Sequence, residues 1–241
     1  MRTASEPILN VPPVVTALLV AFVIIHAVRA ILSPEADFDF LLLFSFIPAR
    51  YDPVWLAQDV PGGIGARIWT FVTYALIHAD VLHLGVNAVW FLAFGSAVAR
   101  RFGAARFLLF FAVTAAAGAA AHLVTHFGEI VRMVGASAAI SGCMAAAMRF
   151  AFQRGGPLGP WRPHEERAYF VAAAPLHVAL TDGRVVAFLL VWFGMNILLG
   201  IGLLPLTGED QEVAWQAHIG GFLAGLILFR WFDPVPRAHA A

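Results

Sequence analysis

The sequence contains stretches of about 20 mostly apolar residues, which is the length that a helix needs to cross the hydrocarbon core of a bilayer. In the first of them, residues 14–32, Arg29 is the one charged side chain. The whole chain is 61% hydrophobic and 12% charged, whereas soluble domains are about 45–50% apolar and about 25% charged. These values predict an integral membrane protein.

Six stretches are long and apolar enough to be spans, and they predict an all-α bundle in a single membrane domain over residues 1–241. They are residues 14–32, 81–98, 107–126, 136–152, 185–204 and 213–231. The first is too long for the apolar part of a signal peptide, so we expect an uncleaved span.

The connections between these stretches carry further expectations. The outer loop 33–80 contains the apolar segment FDFLLLFSFIP and is expected to lie partly in the membrane interface. The segment EIVRMVG before the fourth stretch is expected to be extended. The inner loop 153–167 is rich in glycine and proline and is expected to be a flexible connector.

All 15 basic residues are arginines, and 11 of them fall on the side of the bundle that holds both chain ends. Because cytoplasmic loops carry the excess of basic residues, both termini are predicted to be cytoplasmic. The abundance of alanine and arginine without lysine favours the inner membrane of a bacterium. The net charge of zero and the absence of a basic tail argue against a nucleic-acid partner.

Polar side chains near the outer ends of three predicted spans are expected to lie at one depth. His83 and Asn87 lie in the second span, Ser137 in the fourth and His218 in the sixth. These three spans run in the same direction, and each residue lies within the first turns of its helix. A hydroxyl, an imidazole and the unpaired N–H groups of a helix start together provide a nucleophile, a base and oxyanion donors.

Other residues in these spans are expected to serve packing. Gly135 has no side chain, so the start of the fourth span can be approached closely. Gly221 and Gly225 form a small-residue face for close helix contact. Ser141, one turn below Ser137, is expected to be a packing residue, with the alternative that it is the reactive hydroxyl if the helix register differs. Asn196 is expected to bond a neighbouring helix.

Three motifs together resemble the rhomboid intramembrane serine proteases: HADVLHLGVN, GASAAISG and AHIGGFLAG. They occur in the family's order and on the family's spans, so the resemblance implies a six-helix bundle of rhomboid type. It implies that Ser137 is the nucleophile and His218 the general base. It also implies that His83, Asn87 and the backbone N–H of Ser137 stabilise the oxyanion.

The resemblance further implies a Ser–His dyad without a carboxylate, without metal and without cofactor. Its substrates would be transmembrane segments of other membrane proteins. His78 matches a family position at which we expect a supporting hydrogen bond, and Gly135 and Gly221 are further supporting positions.

Two departures from the family pattern leave alternatives open. Ala138 replaces the last glycine of the serine motif, which keeps a catalytically inactive rhomboid-like protein that binds transmembrane helices under consideration. Ser141 stands where some members have a tyrosine against the base, so another residue has to orient His218. A third class, a metal or proton transporter that uses the intramembrane histidines, predicts carboxylates inside the spans, and these are nearly absent.

Overall fold

The computed structural model describes residues 10–56, 61–161, 166–200 and 214–236. Within this part of the chain the secondary structure is helical, with one isolated β-bridge and no strand, so the predicted all-α class is confirmed. The main helices are α1 (Pro13–Ile31), α2 (Pro34–Phe44), α3 (Gly63–Thr73), α4 (Val81–Phe102), α5 (Ala104–Thr125), α6 (Ser137–Ala147), α7 (Gly183–Gly200) and α8 (Trp215–Phe232).

Four of these helices, α1, α4, α5 and α7, are long and apolar enough to cross a membrane. The other two predicted spans are also helical but differ from the prediction. Helix α6 has only 11 residues, because the chain leaves the helix at Met148 and continues in turns. Helix α8 has 18 residues, and the polar side chains of Gln216, His218 and Arg230 reduce its apolar character. Residues 201–204 and 213 of the predicted spans lie outside the described residues.

The described part of the outer loop 33–80 contains two helices of 11 residues each, α2 and α3, and several short helical turns. The apolar segment expected at the membrane interface forms most of α2, which begins after Ser33, whose hydroxyl accepts a hydrogen bond from the N–H of Ala36 at 3.2 Å. None of the α2 residues is buried within the protein, which agrees with contact to the interface. The sequence did not predict α3, because its 11 residues are fewer than a span requires.

The inner loop 153–167 is more ordered than a flexible connector, as far as it is described. The N–H of Gly155 donates to the carbonyl of Pro160, and the N–H of Leu158 donates to the carbonyl of Ala151, both at 2.8 Å. These bonds fold the glycine- and proline-rich segment into compact turns. The expectation of a flexible connector is therefore wrong for residues 153–161; residues 162–165 lie outside the description.

Arg101, near the end of α4, links several segments at the end of the bundle that contains the loop 153–167. Its guanidinium donates to both carboxylate oxygens of Asp233, at 2.8 and 2.9 Å, and to the carbonyls of Tyr169 and Val171. The Arg101 side chain is fully buried. Because a buried charge is costly unless it is paired, these bonds fix the end of α4 to the segment that follows α8.

Helix α8 packs against α5 and α6 at the centre of the described bundle, and its glycines bring it into backbone contact with α6. A Cβ atom built on Gly221 would lie 2.0 Å from the carbonyl oxygen of Ala138, and one built on Gly225 would lie 2.4 Å from that of Gly142. Small residues permit such close approach between membrane helices. The contact places the residues one turn before Gly221 beside the start of α6.

Replacing Gly225 by alanine is expected to destabilise the protein by about 1–3 kcal/mol, because the new methyl group has no room beside α6. Gly194 on α7 is the matched control, since a Cβ atom there meets nothing within 4 Å. We expect Gly194→Ala to be neutral or to stabilise by about 0.5–1 kcal/mol. Thermal unfolding in detergent micelles measures both effects, and equal melting temperatures for the two variants would contradict the packing described above.

Candidate active site

An extended segment leads the chain into the start of α6. Met133 pairs with Phe46 of the outer loop through two backbone hydrogen bonds of 2.8 and 3.1 Å, and the N–H of Gly135 donates to the carbonyl of Tyr74 at 3.0 Å. The expected extended lead-in is therefore confirmed. Gly135 has a φ of +120°, which residues with a side chain rarely adopt. The turn at Gly135 allows α6 to begin at Ser137.

The structure brings Ser137 and His218 together although they are far apart in the sequence. The Ser137 Oγ lies 2.7 Å from the His218 Nε2. Ser137 is the first residue of α6, and His218 lies in the first turn of α8, one turn before Gly221. Both residues are half-buried, so the pair is packed but still accessible.

The other ring nitrogen of His218 contacts α7. Its Nδ1 lies 2.6 Å from the Oδ1 of Asn196, and the Asn196 amide nitrogen donates to the carbonyl of Trp192 at 2.8 Å. Because a carbonyl only accepts, the amide nitrogen has to face Trp192 and the amide oxygen has to face His218. The Nδ1 of His218 then carries the proton, and its Nε2 accepts the hydrogen of the Ser137 hydroxyl.

The expected bond from Asn196 to a neighbouring helix is present, but His218 was not predicted to be its partner. A signal was present in the sequence, since Asn196 is a lone polar side chain in the apolar stretch VVAFLLVWFGMNILLG. Its partner depends on how α7 and α8 pack, which the sequence pattern does not determine.

His83 lies over the turn that precedes Ser137. A Cβ atom on Gly135 would be 2.7 Å from the His83 Nε2 and 3.7 Å from the Ser137 Oγ, so only a glycine leaves space for this ring. The N–H of Ala79 donates to the His83 Nδ1 at 3.4 Å. In a neutral ring the proton is then on Nε2, which makes His83 a hydrogen-bond donor next to Ser137.

Asn87 lies one turn after His83 on α4 and is buried. Its amide nitrogen donates one hydrogen bond to the His83 carbonyl at 2.9 Å, and an amide nitrogen carries a second hydrogen. Ala136 occupies the N-cap position of α6, and its methyl side chain makes no hydrogen bond to the first turn of the helix. The N–H groups of this first turn therefore remain free of helix partners and carry partial positive charge.

His78 does not make the supporting hydrogen bond that we expected of its side chain. The ring is fully buried, and neither of its nitrogens has a hydrogen-bond partner among the described residues. It packs edge-on against His83, with ring centroids 5.3 Å apart, and at a tilt against Phe22, with ring centroids 5.1 Å apart. The prediction of a hydrogen bond is wrong, and the support that His78 provides to His83 is ring packing.

Ser141 is a packing residue, as expected. Its hydroxyl donates to the carbonyl of Ser137 at 2.8 Å within α6, and the side chain is buried. Over the described part of the chain, no three His, Cys, Asp or Glu side chains are placed to hold a metal ion. The polar groups that converge near the start of α6 are therefore hydroxyl, imidazole and amide groups.

The methyl group of Ala138, the main departure from the rhomboid pattern, lies at the contact with α5. A Cβ atom on Gly118 would come within 2.5 Å of the Ala138 Cβ, so the absence of a side chain at Gly118 makes room for this methyl group. Ala138 is 1% exposed. The extra methyl group is thus accommodated by the neighbouring helix.

The fold and this cluster define a helical membrane protein with a paired serine and histidine at the start of a short buried helix. A model of the Rhomboid domain matches residues 65–232. The chain therefore belongs to the rhomboid family.

Similar proteins include two that are named rhomboid protease GlpG. The one from Haemophilus influenzae is 24% identical over 216 residues, which cover 88% of each chain. The one from Yersinia pseudotuberculosis is 24% identical over 73% of this chain and 52% of its own length. RHOMBOID-like protein 4 of Arabidopsis thaliana is 26% identical over 90% of this chain and 51% of its own length. The match thus spans about half the length of the last two relatives.

The contact between Gly118 and Ala138 predicts coupling between substitutions at these positions. Gly118→Ala is expected to destabilise the protein, and to do so less in an Ala138→Gly background, with a coupling free energy of about 0.5–3 kcal/mol. Ala138→Gly should remove only part of the destabilisation, because the methyl group of Gly118→Ala would still lie 2.9 Å from the carbonyl oxygen of Ala217. Unfolding of the four proteins in detergent measures the cycle, and additive effects would show that the methyl group of Ala138 lies elsewhere.

Proposed function

We propose that the protein is an intramembrane serine endopeptidase that uses Ser137 and His218 as a catalytic dyad. The observation that carries the proposal is the 2.7 Å contact between the Ser137 Oγ and the His218 Nε2. Two relatives that are named rhomboid proteases support it. Gly118 leaves room for the methyl group of Ala138 on the neighbouring helix, which supports the protease over the inactive alternative.

In the proposed reaction, the Ser137 hydroxyl attacks a peptide carbonyl and the His218 Nε2 accepts its proton. The protonated imidazole then donates to the leaving amine, and an acyl-enzyme forms. His83, Asn87 and the backbone N–H of Ser137 donate to the oxyanion. A water molecule releases the acyl group, with His218 again acting as base. Groups of the protein and water carry every step, without a metal or a cofactor.

The proposed substrates are transmembrane segments of other membrane proteins. A peptide carbonyl in a helix is hydrogen-bonded, so the segment has to unwind locally before Ser137 can attack it. Small or helix-weakening residues near the scissile bond are therefore favoured. Water has to reach the dyad, and the half-buried state of Ser137 and His218 is consistent with a pocket that opens to the outer side.

The remaining predictions belong to the same proposal. The chain would form one rhomboid-like domain over residues 1–241 with six spans, of which α6 is shorter and α8 more polar than the four long apolar helices. It would lie in a bacterial inner membrane with both termini in the cytoplasm. The excess of arginine near the predicted cytoplasmic loops supports this orientation.

A fluorophosphonate probe is expected to label the wild-type protein at Ser137 and to leave Ser137→Ala and His218→Ala unlabelled. Ser141→Ala is the matched control, since it removes a hydroxyl from the same helix, and its labelling should be unchanged. The same set should show parallel results in cleavage of a transmembrane peptide in liposomes. Proteolysis by purified Ser137→Ala would refute the assignment, and a wild-type protein that binds the peptide without cleavage or labelling would support the inactive alternative.

His83→Ala is expected to lower kcat by about 10²–10³, which is the usual effect of removing one oxyanion donor. His83→Gln, which retains an N–H donor, should recover part of the loss. Gly85→Ala on the same helix provides the control, because a Cβ atom there meets nothing within 4 Å. Steady-state kinetics on a fluorogenic transmembrane peptide measure the effect. An unchanged kcat in a folded His83→Ala protein would remove His83 from the proposed oxyanion hole.

A further inference from the structure

We propose that Asn196 is a positioning residue that sets the proton and the orientation of the His218 ring; this proposal rests on the proposed protease function. The Asn196 Oδ1 lies 2.6 Å from the His218 Nδ1 on the side of the ring opposite Ser137. Asn196, His218 and Ser137 thus form one hydrogen-bonded series across α7, α8 and α6.

A histidine in a dyad needs such a partner for two reasons. Either nitrogen of a neutral imidazole can carry the proton, and a proton on Nε2 would prevent His218 from accepting the Ser137 hydroxyl hydrogen. The ring also turns about its side-chain bonds unless both nitrogens are held. The Asn196 amide oxygen is an acceptor only, so it selects the Nδ1–H form and holds the ring against Ser137 at the same time.

Asn196 is itself held rigidly enough for this role. It is 6% exposed, and its amide nitrogen is bonded to the carbonyl of Trp192 one turn earlier. The Trp192 ring stacks on Phe222 of α8, with ring centroids 4.5 Å apart. This stacking joins α7 to α8 one turn beyond His218. It therefore fixes the position of Asn196 along α8 relative to the His218 ring.

Among the described residues of the site, no other group takes this position. Within the described residues, Asn196 is the one side chain whose polar atom contacts the His218 Nδ1. Ser141 bonds within its own helix, so it does not orient the ring. An amide has no net charge, so Asn196 orients the imidazole without burying a carboxylate among apolar helices, where an ion would be costly.

The first experiment is a ¹⁵N NMR spectrum of the full-length protein labelled with ¹⁵N-histidine, in which His218 is identified by the loss of its signals in His218→Ala. We expect the neutral His218 ring to be protonated at Nδ1 in the wild type. In Asn196→Leu, which has a similar volume and no acceptor, the signals should shift towards protonation at Nε2. A wild-type ring protonated at Nε2 would overturn the proposal whether or not the protein is a protease.

The second experiment is the rate of fluorophosphonate labelling of Ser137 in the wild type, Asn196→Leu and Asn196→Asp. We expect Asn196→Leu to be slower by about 10- to 100-fold, because a misplaced base loses most of its effect. Asn196→Asp retains an oxygen at the same position and should recover part of the rate.

The control for this comparison is Thr114→Val, since the Thr114 hydroxyl is buried and, within the described residues, bonds to carbonyls of its own helix alone. This variant is expected to lower the melting temperature without slowing the labelling of the folded protein. Wild-type labelling with an equal rate in folded Asn196→Leu would refute the role of Asn196. Absence of wild-type labelling would instead refute the proposed function, and the NMR result would remain a separate test of the hydrogen bond.

Discussion

The arrangement of the candidate site depends on the contact between the backbones of α6 and α8. Ala138 follows Ser137 directly, and Gly221 lies one turn after His218, so the contact between Ala138 and Gly221 sets the distance between the two functional groups. A Cβ atom on Gly221 would have to move about 1.4 Å from the Ala138 oxygen to reach an ordinary van der Waals separation. A hydrogen bond of 2.7 Å does not survive a displacement of that size. Helix packing by small residues is therefore a condition of the proposed chemistry.

Hydropathy predicts the helices of this protein well where they are long and poorly where they are short. Four of the predicted spans match helices of sufficient length and apolar character. The fourth predicted span, 136–152, continues through apolar residues after α6 has ended at Ala147, because apolar side chains pack equally well in turns that are buried by protein. Helix α3 was missed for the opposite reason, since an 11-residue helix is too short for a method that searches for spans.

The residue types of the candidate site could be predicted from the sequence, but their partners could not. The positions of Ser137 and His218 at the starts of two parallel helices follow from the order of the spans. Which nitrogen of His218 faces Ser137 follows only from its contact with Asn196, which depends on how α7 and α8 pack. The site of the Ala138 methyl group likewise depends on the absence of a side chain at Gly118, a distant residue of α5. Contacts between helices determine the orientation of His218 and the surroundings of the Ala138 methyl group, and a local sequence pattern does not predict such contacts.

The shortness of α6 agrees with the proposed position of the candidate site inside the membrane. Eleven residues form a helix of about 17 Å, about half the thickness of the hydrocarbon core, which is about 30 Å. In the proposed orientation the other end of α6 lies near the cytoplasmic surface and Ser137 lies inside the membrane, where a non-helical lead-in has to satisfy its polar groups with protein. The lead-in meets this condition, because Met133 is paired with Phe46 and Gly135 with Tyr74. The outer loop therefore supports the start of α6 through backbone hydrogen bonds, and in the proposed reaction the unpaired N–H groups of the first turn face the substrate.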